Sequence, residues 1–130
     1  MAPIFLSILR IVTGLLFLEH GLQKLAGFPA AADPTHLPPL NTLPGFAGYF
    51  ELGCGLLIAI GFLTRPAAFL ASGTMAVAYW YAHAPQNFFP VNNMGDAAIL
   101  YCFVFLYLVF AGPGPWSVDA MRSREAPPQA

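Results

Sequence analysis

Charged residues are scarce in this sequence of 130 residues. Asp, Glu, Lys and Arg make up 8% of the chain, whereas a soluble domain carries about 25%. Hydrophobic residues make up 58%, so a water-soluble monomer would lack the polar surface that it needs. The shortage of charge therefore predicts an integral membrane protein whose first partner is the lipid bilayer.

A basic excess is also absent. The formal net charge is -1 and the isoelectric point is near 6.2, so the chain has no positive field that would attract a phosphate backbone. Nucleic acid is therefore not an expected partner.

Cysteine is rare as well, and Cys54 and Cys102 both lie inside apolar runs. Their number and spacing fit neither a disulfide framework nor a zinc site. No H-x-x-H or E-x-x-H spacing occurs, so no metal site is predicted. The two thiols are expected to act as small hydrophobic residues. The cysteine pattern therefore does not indicate whether the chain lies in an oxidising or a reducing compartment.

Long apolar segments are what the sequence does contain. They predict one domain over residues 1–130, with helices at about 4–25, 46–63, 66–84 and 96–111. Prolines interrupt the chain between them, and the short turn at 64–66 makes the second and third helices an antiparallel hairpin. The predicted fold class is all-α, an integral membrane four-helix bundle, with residues 116–130 as an interfacial anchor and a disordered tail.

A cleaved signal peptide is the alternative interpretation of the first segment. Glu19, His20 and Lys24 argue against it, because they occupy the place where the cleavage region is normally short and uncharged.

Basic residues are distributed unequally between the two ends of the predicted bundle. One end collects Arg10, Arg65, Arg122 and Arg124, and the other holds Lys24. The positive-inside rule then places both termini in the cytoplasm. Arg10 lies about 9 Å along the first helix, so its side chain is expected to extend to the inner head groups.

Ionisable residues converge on the outer half of the predicted bundle. Groups at membrane depth usually face the bundle interior, so six of them are candidates for a ligand or proton site: Glu19, His20, Lys24, Glu51, His83 and Asp96. Three neighbours are candidate pocket walls: Gln23, Tyr79 and Trp80. The simpler alternatives are that the polar groups hold the helices together or lie in the wet interface, and that the aromatic residues anchor the bundle there.

Several segments together resemble a known family. They are the run LLFLEHGLQKL beginning at Leu15, the Glu51 segment ending in GFLTR, the stretch WYAHAP beginning at Trp80, and LYCF at Leu100 through GPGPWS at Gly112. This pattern resembles the DoxX family of bacterial membrane proteins. The family often has Glu where this chain has Asp96, and a Gly-Gly pair where Cys54 intervenes.

The resemblance implies a multi-pass protein of the bacterial inner membrane, with the family's polar pattern on His20, Lys24, Glu51, His83 and Asp96. Some relatives are associated with quinone-linked thiosulfate oxidation or with thiol and oxidative-stress complexes. The expected function is a small component of a redox system, with quinone as the candidate cofactor and with a membrane or periplasmic protein, or further copies of the chain, as partner. The alternatives are a small-molecule transporter or binding protein and a structural subunit. No residue is assigned a catalytic role.

Overall fold

The computed structural model describes residues 1–125, which form helices and no strands. The α-helices are α1 (Ala2–Ala26), α2 (Leu43–Ile60), α3 (Thr64–Ala78), α4 (Pro90–Asn93), α5 (Asp96–Ala111) and α6 (Val118–Glu125). A 3₁₀ turn, Pro34–His36, lies between α1 and α2, and a π-helical segment, Tyr79–His83, continues α3. The all-helical class is confirmed. Two helices, α1 and α2, are long and apolar enough to span a membrane, and α5 is a shorter apolar helix.

Local capping residues explain the ends of α2. The helix begins at Leu43, earlier than the predicted residue 46, because the Thr42 hydroxyl accepts a hydrogen bond from Gly45 N and Pro44 fits the first turn. It ends where Gly61 adopts a left-handed conformation with φ 73°, which glycine does without steric cost.

Glycines bring α1 and α2 into close antiparallel contact. A Cβ atom on Gly14 would lie 2.7 Å from Ala59 N, and one on Gly55 would lie 2.6 Å from Leu18 N. The two backbones therefore approach as closely as in the small-residue contacts of membrane helices. This contact fixes the depth at which residues of α1 face residues of α2.

The second antiparallel pair consists of α3 and α5. Small residues of α3, among them Ala68 and Ala71, are fully buried, and the Ser72 hydroxyl donates a 2.8 Å hydrogen bond to Cys102 O. The short α2–α3 connection joins the two pairs, and Phe17 of α1 reaches Phe105 of α5 with ring centroids 4.8 Å apart.

Arg10 differs from its expected position at the membrane surface. It is completely buried, and its guanidinium group donates hydrogen bonds to four backbone carbonyls: those of Ile58 (2.7 Å), Ala59 (2.6 Å), Pro113 (2.6 Å) and Trp116. The last carbonyls of a helix lack partners within that helix, so a buried cation at the end of α2 is satisfied there. Arg10 therefore connects α1 to the end of α2 and to the chain after α5 through hydrogen bonds. Its side chain does not extend to the head groups as expected.

The chain after α5 is also more ordered than expected. The Asp119 carboxylate accepts hydrogen bonds from Leu63 N (3.0 Å) and Thr64 N (2.9 Å) at the start of α3, and the Arg122 guanidinium lies 5.3 Å from the Phe62 ring centroid. Residues 118–125 thus form a docked helix where a disordered tail was expected, because Asp119 of α6 caps the start of α3 and Arg122 packs on Phe62. The remainder of that predicted tail, 126–130, lies outside the described residues.

Candidate functional site

A cavity of about 610 Å³ lies between α1, α2, α3 and the start of α5. Its walls are mostly apolar, and exposed rings such as Phe50 and Phe69 stand at its rim. The cavity therefore opens on the side of the helices. Four of the six predicted site residues line it: His20, Lys24, Glu51 and His83.

An ion pair between α1 and α2 forms the polar centre of this cavity. Lys24 Nζ donates to Glu51 Oε1 at 2.8 Å and to Pro44 O at 3.3 Å. Glu51 is only 3% exposed, and its second oxygen, Oε2, has no hydrogen-bond partner among the described residues. Burying a carboxylate oxygen without a hydrogen-bond partner is unfavourable in free energy. Oε2 is therefore the atom of this site for which a hydrogen-bond donor is missing from the described part of the chain.

His83 enters the cavity from the π-helical segment that follows α3. Ala84 N donates to Tyr79 O at 2.9 Å, which closes the wide π turn. The extra residue in this turn rotates the residues that follow it, and such bulges are frequent at functional sites. The periodicity of the sequence contains no signal for this bulge.

The contact of His83 with the loop before α5 defines its tautomer. His83 Nδ1 lies 2.9 Å from Asn93 O, and a carbonyl oxygen can only accept, so Nδ1 carries the proton. Nε2 of the neutral ring is then an acceptor. Asn93 is itself buried and is held by hydrogen bonds to Asn87 O (2.9 Å) and from Gly95 N (2.8 Å), so the ring position is well supported.

Tyr101 is a cavity residue that sequence reasoning missed. Its ring stacks on Phe105 with centroids 5.7 Å apart and meets the His20 ring edge-on at 6.0 Å. Tyr101 and Phe105 are one helical turn apart, and this aromatic spacing was the available signal. His20 of α1 therefore contacts an aromatic wall supplied by α5.

The two remaining acidic candidates lie away from the cavity. Glu19 is exposed on the other side of α1, beside a shallow groove that includes Leu22 and Pro29. Asp96 is exposed in the first turn of α5, where a carboxylate interacts favourably with the helix dipole.

The three predicted wall residues also lie outside the cavity lining. The Gln23 amide donates to Pro29 O at 3.2 Å. The Tyr79 hydroxyl accepts from Asn93 Nδ2 at 3.4 Å, and Trp80 is 72% exposed. Tyr81 and Tyr101 are the tyrosines that line the cavity.

Neither the thiols nor the acidic residues assemble a metal centre in the part of the chain that is described. No group of three or more His, Cys, Asp or Glu residues within it is placed to hold a metal ion. Cys54 and Cys102 are free thiols.

These features define a class: a small all-helical membrane protein with an open, mostly apolar cavity around one buried ion pair. The sequence model of the DoxX family matches residues 5–84, and the chain belongs to the DoxX family of membrane proteins. The resemblance noted in the sequence is therefore confirmed.

Several bacterial proteins are similar to the chain over almost their whole length. An uncharacterized protein of Haemophilus influenzae is 38% identical and is aligned over 90% of each chain. The inner membrane protein YphA of Escherichia coli is 31% identical over 90% of this chain and 89% of its own length. The inner membrane protein YqjF of the same species is 30% identical over 89% and 90%. No solved structure matches the chain.

Proposed function

We propose that the chain is a quinone-binding component of an inner-membrane redox system, and that the cavity around Lys24 and Glu51 holds the quinone head group. The bilayer topology belongs to this proposal: α1, α2, α3 with its π segment, and α5 form a four-helix bundle that crosses the membrane with both termini in the cytoplasm. A partner protein or further copies of the chain would complete the system.

The distribution of arginines supports this orientation. Arg65 donates to Val109 O (2.6 Å) and Phe110 O (2.8 Å) at the end of α5, and Arg10 and Arg122 lie at the same end of the helices. Lys24 lies at the opposite end. An excess of Lys and Arg on one side is typical of the cytoplasmic face.

The dimensions of the cavity support a ligand with a ring and an apolar tail. Ligand pockets measure about 300–1,000 Å³, and this cavity of about 610 Å³ falls in that range. Its phenylalanine rim faces the surface that lipid would cover, so a lipophilic molecule could enter from the bilayer. This lateral opening is the observation that favours a quinone over a water-soluble substrate.

The polar groups of the cavity support a head group with carbonyl oxygens. Lys24 Nζ has donor capacity beyond its two observed partners, because an ammonium group carries three protons. His83 Nε2 and Glu51 Oε2 are acceptors without described partners. A quinone supplies two acceptor oxygens when oxidised and two hydroxyl groups when reduced. The chain would position the ring with Lys24 and exchange protons through His83 and Glu51.

Binding of a short-chain benzoquinone to the purified protein in detergent tests the proposal. We expect calorimetry to detect binding of the quinone and of its reduced form to the native chain. Because only the hydroxyl groups of the reduced form can donate to Glu51 Oε2, the affinity for the reduced form should be at least about tenfold lower in Glu51→Gln. Glu19→Gln is the matched control, because it makes the same change on the opposite side of α1 and should leave the affinity unchanged.

Two results would contradict the proposal. One is a native chain that binds neither the quinone nor its reduced form and carries no quinone after purification. The other is an equal loss of binding in both glutamine variants. Copurification of a different amphiphile in this cavity would instead support the small-molecule binding alternative.

A further inference from the structure

Glu19 lies in the middle of the exposed face of α1. Successive helical residues are about 100° apart around the axis, which places Glu19 opposite the buried Arg10 and Phe17. Its neighbours on this face are apolar and exposed: Val12 (50%), Leu15 (51%) and Leu16 (47%). A carboxylate therefore interrupts a surface that is otherwise suited to lipid.

In the bilayer topology proposed above, on which this inference rests, Glu19 lies below the head groups. It lies seven residues before the end of α1 at Ala26, which is about 10 Å by helical rise. A glutamate side chain is shorter than this distance. Beside it is a shallow groove bordered by Leu18, Leu22 and Phe28, and the carboxylate has no hydrogen bond or ion pair with any described residue.

An isolated carboxylate facing hydrocarbon is unfavourable, and ionisable groups in membrane segments usually pair with one another. The chain itself offers no lysine or arginine for this role. Lys24 is the one such residue at this end of the helices, and it is bound to Glu51 at 2.8 Å. Arg10 and Arg65 are at the opposite end, bound to carbonyls.

A second copy of the chain does not supply the missing cation either. Two copies inserted in the same orientation and joined through this face would bring their Glu19 carboxylates together at the same depth. Like charges in a medium of low dielectric constant repel strongly. The chemistry of Glu19 thus calls for a different polypeptide.

We propose that the Glu19 face of α1, with its groove, binds a transmembrane helix of a partner protein that carries a lysine or arginine about 10 Å below the same membrane surface. The apolar residues around Glu19 pack against the partner helix, and the ion pair fixes its depth and rotation. This surface is separate from the cavity lining, which does not include Glu19.

A designed peptide can test this pairing without knowledge of the natural partner. The probe is an alanine-leucine transmembrane peptide with one lysine at the depth of Glu19, and the comparison peptide has leucine there. Both carry a fluorophore, and energy transfer to the labelled full-length chain is measured in phosphatidylcholine vesicles. We expect the lysine peptide to associate at least about tenfold more tightly than the leucine peptide.

Variants of the chain separate the charge from the shape of the surface. Glu19→Gln should remove the preference for the lysine peptide, Glu19→Asp should retain most of it, and Leu15→Ala should leave the preference intact. A lysine moved two turns deeper should lose its advantage.

The proposal is overturned if the lysine peptide binds no better than the leucine peptide, or if Glu19→Gln keeps the full preference. A shift of the native chain from oligomer to monomer in Glu19→Gln would assign the face to a second copy instead, and would also overturn it.

Discussion

Lys24 of α1 and Glu51 of α2 form a 2.8 Å ion pair in which the lysine side chain is 18% exposed and the glutamate side chain 4% exposed. Two groups distant in sequence are thereby joined in the lining of the cavity. Because Glu51 is the more buried partner, the consequences of removing either group should be unequal.

Removal of Lys24 should destabilise the chain more than removal of both charges. Lys24→Met leaves the buried Glu51 carboxylate without its cation, and breaking a buried pair in this way costs about 3–5 kcal/mol. The double variant Lys24→Met with Glu51→Gln should recover a large part of this loss. Thermal unfolding in detergent measures the cycle, and equal destabilisation by the single and double variants would show that the pair contributes little.

Gly14→Ala should weaken the contact between α1 and α2. The new methyl group would lie 2.7 Å from Ala59 N, and forcing helices apart costs about 1–3 kcal/mol. Gly53→Ala is the matched control, because nothing lies within 4 Å of its added Cβ and alanine is the better helix former by about 1 kcal/mol. If the two variants unfold at the same temperature, the close approach of the helices is not structurally important.

Arg10→Lys should destabilise the chain although it preserves the charge. The guanidinium group serves four carbonyls, whereas an ammonium group has three protons and a different shape. Each buried carbonyl left without a donor costs about 1–3 kcal/mol. Arg65→Lys, at an exposed arginine of the same end, is expected to have a smaller effect on the unfolding temperature.

Release of α6 should follow the protonation of Asp119. Burial raises the pKa of this carboxyl, but hydrogen bonds from Thr64 and Leu63 and the charge of Arg122 outweigh it, so the pKa lies below its ordinary value. A group with a lowered folded-state pKa stabilises the fold fully above its unfolded pKa, about 3.9, and the stabilisation is lost as the pH falls through the folded pKa.

Hydrogen exchange at the Leu63 and Thr64 amides measures this release. We expect exchange, relative to its intrinsic rate, to rise as the pH falls below about 4. In Asp119→Ala the protection should already be reduced at neutral pH, because loss of a capping side chain costs about 0.5–2 kcal/mol, and its dependence on acid should be much smaller. Unchanged protection in acid would mean that other contacts hold α6.

Filling the cavity should reduce ligand binding without unfolding the chain. Gly73 lines the cavity, and nothing lies within 4 Å of a Cβ added there. Gly73→Phe should lower the affinity for a short-chain benzoquinone by at least about tenfold, while Gly53→Phe adds the same ring at an open position outside the cavity lining. Equal affinities in the two variants would place the ligand elsewhere.

Much of the fold could be predicted from the sequence because its signals are local. Scarce charge and long apolar runs indicate a membrane protein, and prolines and glycines mark helix ends, as Gly112 does for α5. The observed bounds of α5, Asp96–Ala111, coincide with the predicted helix. Such features depend on neighbours a few residues apart.

The selection of site residues depended on the tertiary structure. Glu19 and Lys24 are five residues apart and were assigned to one layer by depth, but the helix turns them to different sides, so that one faces outward and the other reaches Glu51. Depth follows from counting residues, whereas rotation depends on which face packs against α2.

The sequence by itself determined that the chain is a helical membrane protein with polar residues near one end of its helices, because hydrophobicity and helix breakers act locally. Only the tertiary structure decided that Arg10 is buried against carbonyls, that a π turn directs His83 into the cavity, and that Asp119 docks α6. The contacts of Arg10 and Asp119 depend on backbone groups at the ends of distant helices that have no partner within their own helix, and no local pattern encodes where such groups meet.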